Sequence, residues 1–454
     1  MRPVDAPIVT AAEMRAAEAA CFAGGASQTA LMEAAARAIA REAARFAMGR
    51  PITVLAGAGN NGGDAFGTAR FLAEQGFDVV VAALGQAGGG AAAAMRSRWS
   101  GATVALHEAP VRPLVVDGLF GIGLSRAITG APAAAIERLR AGADFVLAID
   151  IASGLVADSG EARGIVLRAD ATLALGAVKR GHFQGAGIGA SGALLLDTLG
   201  LSVDSPVRML ARPRLAAPGA ADHKYTRGLV GVVAGAMPGA ARLAAGAAAR
   251  GGAGYVVLAG EDAGVPFDAV LQRAAIDPER AAAVLVGPGL GRGDMARTLC
   301  EEWLSSGRTL VLDGDALSLI DADSLRLRTA PTVLTPHAGE FARLFGEPSG
   351  DRIAAALDAA RRSGAVVVLK GATTIVASPS GEARVHCPSS WLSTAGTGDV
   401  LAGLVAARLA VTKAPFRAAC EAVWLHARAA ALAGPALVAD DLAMHIPIAI
   451  AECL

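Results

Sequence analysis

Cysteine is scarce and scattered. Cys21, Cys300, Cys387, Cys420 and Cys453 are odd in number and form no C-x-x-C pair. That argues against a disulfide framework and a zinc site, and makes a reducing cytoplasm the expected compartment. Neither sign of charge is in excess, since Lys+Arg and Asp+Glu both count 41. Nothing in that balance points to nucleic acid or to an acidic membrane. Met1-Arg-Pro-Val-Asp opens the chain without an apolar h-region, so no signal peptide is expected. The Gly/Ala-rich stretch from Gly228 to Gly260 comes nearest to a membrane span, but Arg242 and Arg250 interrupt it. The P-loop pattern and the protein-kinase signature set are both missing.

Size and apolar content are present instead. The 454 residues exceed one ordinary core, and 53% hydrophobic residues rule out wholesale disorder. Two domains are expected, 1–213 and 214–454. The division is placed at Pro206, Pro213 and Pro218, where neither helix nor strand period is sustained.

One stretch of the second half stands out: Leu392-Ser-Thr-Ala-Gly-Thr-Gly-Asp-Val-Leu-Ala-Gly403. Gly396 and Gly398 allow a tight turn that points backbone N–H groups at one spot. Asp399 follows, then a helix-compatible run whose N-terminus attracts anions. Oxyanion donors beside a carboxylate base make a compact phosphoryl-transfer device. The same residues also suit an ordinary Gly-rich strand-to-helix turn.

The first half begins with helical periodicity over Ala11–Met48, broken at Gly24-Gly25. A strand at Ile52–Ala56 enters a Gly/Asn loop ending at Asp64, and a helix is predicted over Ala65–Gln75. This is the start of a Rossmann-type unit without a dinucleotide fingerprint. Strands at 114–117 and 145–150 end in Asp117 and Asp150. The carboxyl ends of parallel strands share one sheet edge, so Asn61, Asp117, Asp150 and Ser153 can converge there, with Arg126 as a phosphate contact.

Gly-Asn-Asn-Gly-Gly-Asp at 59–64, Asp-Gly-Leu-Phe-Gly-Ile-Gly-Leu-Ser-Arg at 117–126 and Asp-Ile-Ala-Ser-Gly-Leu at 150–155 resemble the NAD(P)H-hydrate epimerase domain. The resemblance implies a substrate site of Asn60, Asn61, Gly62, Gly63, Asp64, Gly121, Ile122, Gly123, Leu124, Ser125, Arg126, Ala127 and Asp150. It implies K⁺ held by Asn61, Asp117 and Ser153, and Asp150 is expected as the acid/base. Ala65 and Ala152 depart from the family's usual Gly and Pro.

In the second half, strands near 229, 255, 282, 309, 332 and 366 alternate with helices and end in chemistry-bearing loops. That spells a doubly wound α/β domain. His-Lys-Tyr at 223–225, Gly-Pro-Gly-Leu-Gly at 287–291, Thr-Pro-His-Ala-Gly-Glu at 335–340, Lys-Gly at 370–371 and Ala-Gly-Thr-Gly-Asp at 395–399 resemble the ribokinase-like NAD(P)H-hydrate dehydratases. By that likeness Ala240, Gly289, His337 and Asp399 line the hydrate site. Lys370, Gly371, Ala372, Thr373, Thr374 and Gly398 would contact the nucleotide, and Gly396 would help hold the transferred group. Asp399 is the expected catalytic base, ADP the phosphoryl donor, and Mg²⁺ a cofactor that Asp313 and Glu340 could help hold.

The expected fold class is therefore α/β in two domains, an N-terminal Rossmann-like three-layer αβα and a C-terminal ribokinase-like αβα. Expected partners are the hydrated nicotinamide cofactors and ADP, in a homo-oligomer, without nucleic acid or membrane. Two rival readings are a small-molecule kinase with a redundant front domain, and a front half that only binds nucleotide and docks partners. The final helices, with Trp424 and His426, are explained by packing alone.

Overall fold

The computed structural model describes residues 5–85, 89–260, 263–348 and 350–454. Most of the opening stretch read for a leader, residues 1–4, lies outside them. The chain divides into two compact units, Met1–Met209 and Leu210–Leu454.

In the first unit, helices α1 (Ala11–Ala23) and α2 (Gln28–Ala47) flank the predicted glycine break. Thr10 and Glu13 close a capping box on α1, and Ser27 caps α2. The strands are β1 (Ile52–Ala56), β2 (Val79–Ala83), β3 (Thr103–Ala105), β4 (Leu114–Gly118), β5 (Phe145–Ile149), β6 (Ala171–Leu175) and β7 (Ala193–Asp197). They pair in parallel in the order β3-β2-β1-β4-β5-β6-β7. Strands covered on both faces need continuous apolar runs, and β1, β4 and β6 are buried throughout. The order reverses between β1 and β4, where a doubly wound sheet opens its ligand crevice.

Helix α3 spans Asn60–Glu74, so it starts five residues before the predicted Ala65. Asn60 to Asp64 are its first turns rather than a loop. The glycines there serve close approach. A Cβ on Gly62 would sit 1.8 Å from the Gly57 carbonyl oxygen, and one on Gly63 would lie 2.7 Å from Met32 Sδ. Gly62→Ala should therefore cost about 3 kcal/mol, read by urea unfolding of the purified protein. An unchanged midpoint would contradict that contact.

The second unit carries β8 (Leu229–Val233), helix α4 (Pro238–Arg250), β9 (Tyr255–Ala259), β10 (Val270–Arg273), β11 (Ala281–Val286), β12 (Leu310–Leu312) and β13 (Thr332–Leu334). Helix α5 (Ala338–Phe345), β14 (Val366–Leu369), β15 (Thr374–Ala377), β16 (Ala383–His386) and helices α6 (Thr397–Thr412) and α7 (Pro415–Ala433) follow. Its strands lie in the order β16-β15-β14-β13-β12-β11-β8-β9-β10. All pair in parallel except β14/β15 and β15/β16. The antiparallel end is not among the strands expected from the sequence, although Ser378-Pro-Ser-Gly-Glu382 between β15 and β16 is a hairpin-type turn, with Gly381 at φ 95°.

The Ala/Gly excess has its use in this core. Helix α6 is buried on nearly every side. A Cβ on Gly403 would stand 2.1 Å from the Ala244 carbonyl of α4, so the two helices touch backbone to backbone. Among the described residues no helix is long and apolar enough to cross a membrane.

Candidate active sites

In the first unit, β4 pairs with β1 so that Asp117 lies beside Leu55 at the carboxyl edge. Beyond β5 the chain turns sharply at Asp150, whose φ is 66°, a left-handed conformation costly for a non-glycine residue. What holds it there is a set of bonds. The buried Lys179 ammonium ion-pairs with its Oδ1, and Leu175 N–H donates to the same oxygen over 3.0 Å. His182 Nε2 lies 3.0 Å from its carbonyl oxygen. Since His182 Nδ1 accepts from the Lys179 N–H, Nε2 carries the proton. Burial lowers the His182 imidazole to about 4.

A cavity of about 620 Å³ opens over this turn. Asn60, Asn61, Asp64, Gly121 to Arg126 and Asp150 line it, together with Glu18 of α1. Thus most of the expected substrate residues share one space. Gly62, Gly63 and Ala127 do not line it; the two glycines pack backward, as described. Beneath, Ser153 Oγ donates to Asp117 Oδ1 over 2.6 Å and Ser153 N–H to Oδ2 over 2.8 Å. Burial raises the Asp117 carboxyl to about 6. Asn61 Nδ2 is buried without a hydrogen-bond partner.

The two departures are absorbed locally. Ala65 Cβ sits 2.7 Å from where a Cβ on Gly118 would be, so that glycine makes room for the extra methyl. The turn around Ala152 is pinned by Ile151 N–H to the Ile149 carbonyl at 2.7 Å and by the Ser153–Asp117 bonds. Lys179, His182 and Glu18 were not singled out in the sequence. The available signal was the buried apolar strand β6 followed by Gly-Ala-Val-Lys, a further strand end on the same edge.

In the second unit the ends of β11, β12, β13 and β14 stand in register. Asp313 follows β12 and is buried. Its Oδ1 accepts from Lys370 Nζ at 2.7 Å and from Thr335 Oγ1 at 2.6 Å. Gly396 caps α6 with φ 86°, and Lys370 Nζ is 3.2 Å from where a Cβ on Gly398 would sit. The ammonium and the free amides of α6 therefore face the same spot. Asp399, half-buried in the first turn, is raised to about 6, chiefly by burial and then by the Asp313 charge, with Lys370 opposing. Gly289, at φ 62°, packs on the Met237 carbonyl and on Ala240.

His337 caps α5. Its Nδ1 accepts from the Gly339 N–H at 3.0 Å and the Glu340 N–H at 3.3 Å, so the proton sits on Nε2, 3.3 Å from Glu340 Oε1. Gly371 and Ala372 are exposed, whereas Thr373 and Thr374 are buried. Asp313 is committed to Lys370 and Thr335, and Glu340 to the His337 cap, so the two do not form an open cation cage. Among the described residues no cluster of three or more His, Cys, Asp or Glu side chains is disposed to hold a metal ion.

His426 does more than pack. Its Nε2 donates to the Thr397 carbonyl in the first turn of α6 over 2.9 Å, which steadies that turn. Burial lowers it to about 4, below the ordinary 6.5. An unfolded chain protonates this histidine below 6.5, while the folded one resists. Its contribution is therefore full above pH 6.5 and is lost as pH falls towards 4, by about 2–3 kcal/mol. His182 acts in the same direction. Asp117 and Asp399, raised to about 6, act in the opposite one and favour the folded state as pH drops. His426→Gln should lose less stability than the wild type between pH 6.5 and 4.5 in urea titrations; equal losses would refute this.

A Rossmann-like unit with an acid-lined cavity, and a doubly wound unit with an anion-facing helix turn, lysine and carboxylate, define a two-site α/β enzyme that handles nucleotides. A family model described as NAD(P)H-hydrate dehydratase matches residues 230–448, and one described as YjeF-related protein N-terminus matches 28–181. The bifunctional NAD(P)H-hydrate repair enzyme Nnr of Gloeobacter violaceus is 40% identical over 473 residues, covering 93% of this chain and 92% of its own. Its Mycobacterium leprae counterpart is 36% identical over 429 residues, 89% of each. Among solved structures, an ADP/ATP-dependent NAD(P)H-hydrate dehydratase from Bacillus subtilis, co-crystallized with ATP/Mg²⁺, is 29% identical with a TM-score of 0.48. It covers 53% of this chain and 95% of its own. The chain belongs to the family of bifunctional NAD(P)H-hydrate repair enzymes.

Proposed function

We propose that the first unit interconverts the R and S epimers of NAD(P)H hydrate. The second unit dehydrates the S hydrate with ADP, releasing AMP and phosphate and restoring NAD(P)H. The hydrate is a reduced nicotinamide ring with water added at C6. Hydroxide leaves poorly; a phosphorylated oxygen leaves well, pushed out by the ring nitrogen.

The observation that carries this reading is the meeting of Gly398, Lys370 and Asp399 at one helix N-terminus. Asp399 takes the proton of the C6 hydroxyl. The 396–398 amides and Lys370 face the charge that develops on the moving phosphoryl group. Ala240, Gly289 and His337 flank the hydrate, and Lys370 to Ala372 the nucleotide, with the buried Thr373 and Thr374 supporting that turn from behind. Mg²⁺ would arrive on the nucleotide phosphates rather than on a protein cage, which the committed carboxylates do not offer.

Asn61, Asp117 and Ser153 fit K⁺. The unpartnered end of the Asn61 amide is explained if it presents oxygen to a cation, because amide ends are interchangeable in assignment. A cation there also offsets the cost of burying Asp117. Its chemistry is a fixed positive charge beneath the cavity. A homo-oligomer in the cytoplasm completes the reading.

The test supplies mixed NADPH hydrate, ADP, Mg²⁺ and K⁺ and follows reduced-ring absorbance. Recovery with AMP release is expected. A stable phosphorylated product without recovery would favour a small-molecule kinase instead.

A further inference from the structure

Asp150 is not the only acid in the first cavity. Asp64, in the second turn of α3, lines the same 620 Å³ space and is itself buried. The two carboxyls sit in opposite surroundings. Asp150 is gripped by the Lys179 ammonium, which is itself tied to the Leu175 and Ala177 carbonyls at 2.7 and 2.9 Å. Among the described residues no cation is paired with Asp64. Its charged neighbours are the acids Asp150 and Glu18, with Lys179 spent on Asp150, Arg15 beside Glu18 and the exposed Arg126 at the rim. Burial, then those two acids, raise the Asp64 carboxyl well above its ordinary range. One acid pushed towards its protonated form by burial, and a second paired with an ammonium in the same cavity, are the arrangement that lets one give a proton while the other takes one.

Resting on the epimerase reading above, we propose that Asp64 is a second catalytic residue of the first unit. It gives its proton to the departing C6 hydroxyl, while Asp150, paired with Lys179, takes a proton from the water that replaces it. The C6–O bond breaks and the hydroxyl leaves as water, carrying the Asp64 proton. The ring-nitrogen lone pair forms a C6=N iminium. Water then adds to the opposite face, a new C6–O bond forms, and its surplus proton goes to Asp150. Proton exchange with solvent returns Asp64 and Asp150 to their starting states, and nothing is oxidised or reduced.

The experiment uses the full chain with purified R NADPH hydrate and K⁺, without ADP, and follows the S epimer by chromatography over pH 5–10. Asp64→Asn should slow epimerisation about 100-fold or more, with thermal unfolding near the wild-type value. Wild-type rates should fall at alkaline pH, where the acid is lost, and that limb should vanish from the residual rate of Asp64→Asn. Asp64→Glu should restore part of the rate and the limb. Asp64→Asn at the wild-type rate, or with its alkaline limb intact, overturns the proposal. Should Asp64→Asn fail to fold, a wild-type profile without any alkaline limb overturns it as well. If the wild type itself fails to epimerise, the parent reading fails, which is a separate outcome.

Discussion

Asp399→Asn is expected to lower ADP-dependent dehydration about 10³-fold, within the range for loss of a positioned general base. An asparagine keeps the shape but cannot accept the C6 hydroxyl proton. In the proposed mechanism the nucleotide contacts fall to Lys370 and the α6 amides, so ADP affinity by calorimetry should change only a few-fold. The pH profile provides a second readout. Because Asp399 is raised to about 6, the wild-type rate should rise with pH up to that value and level off above it. The base acts only when unprotonated, so the loss lies on the acid side. A fully active variant, or a wild type whose rate is flat from pH 4.5 to 7, would remove Asp399 from the mechanism.

Lys179→Met should disable the first unit while leaving a near-isosteric apolar chain in place. It strands the buried Asp150 carboxylate without its cation, a change that costs about 3–5 kcal/mol when one partner of a buried pair is removed. The left-handed turn at Asp150 loses its main restraint at the same time. Epimerisation should fall at least 100-fold, and the first unfolding transition should move to lower temperature. Lys179→Arg tests the same point more gently, because it keeps the charge in a space sized for an ammonium. An epimerase-competent Lys179→Met protein would show that the pair is only structural.

Much of the second site was legible because its residues are local. Gly396, Gly398 and Asp399 lie within one turn, and their spacing already describes a helix N-terminus. Strand ends such as Asp117, Asp150 and Lys370 were legible because a parallel sheet puts its carboxyl ends on one edge. What escaped was long-range. Lys179 reaches Asp150 across 29 positions, and His426 reaches Thr397 across another 29. Neither carries a local pattern, and a lone histidine on an apolar helix looks like packing. The early start of α3 escaped for a different reason. Glycine disfavours helix by about 1 kcal/mol, so Gly62-Gly63 read as loop, whereas tertiary contact with Gly57 and Met32 requires glycine in a helix there.

Helices α4 and α6 meet at Gly403 with no side chain between them. One begins beside Gly289, and the other carries Gly396 and Asp399. The two walls that would grip hydrate and phosphate are thus joined by a direct backbone contact, which opposes their parting. Walls joined in this way before either ligand arrives leave less ordering entropy for a bound nucleotide to overcome.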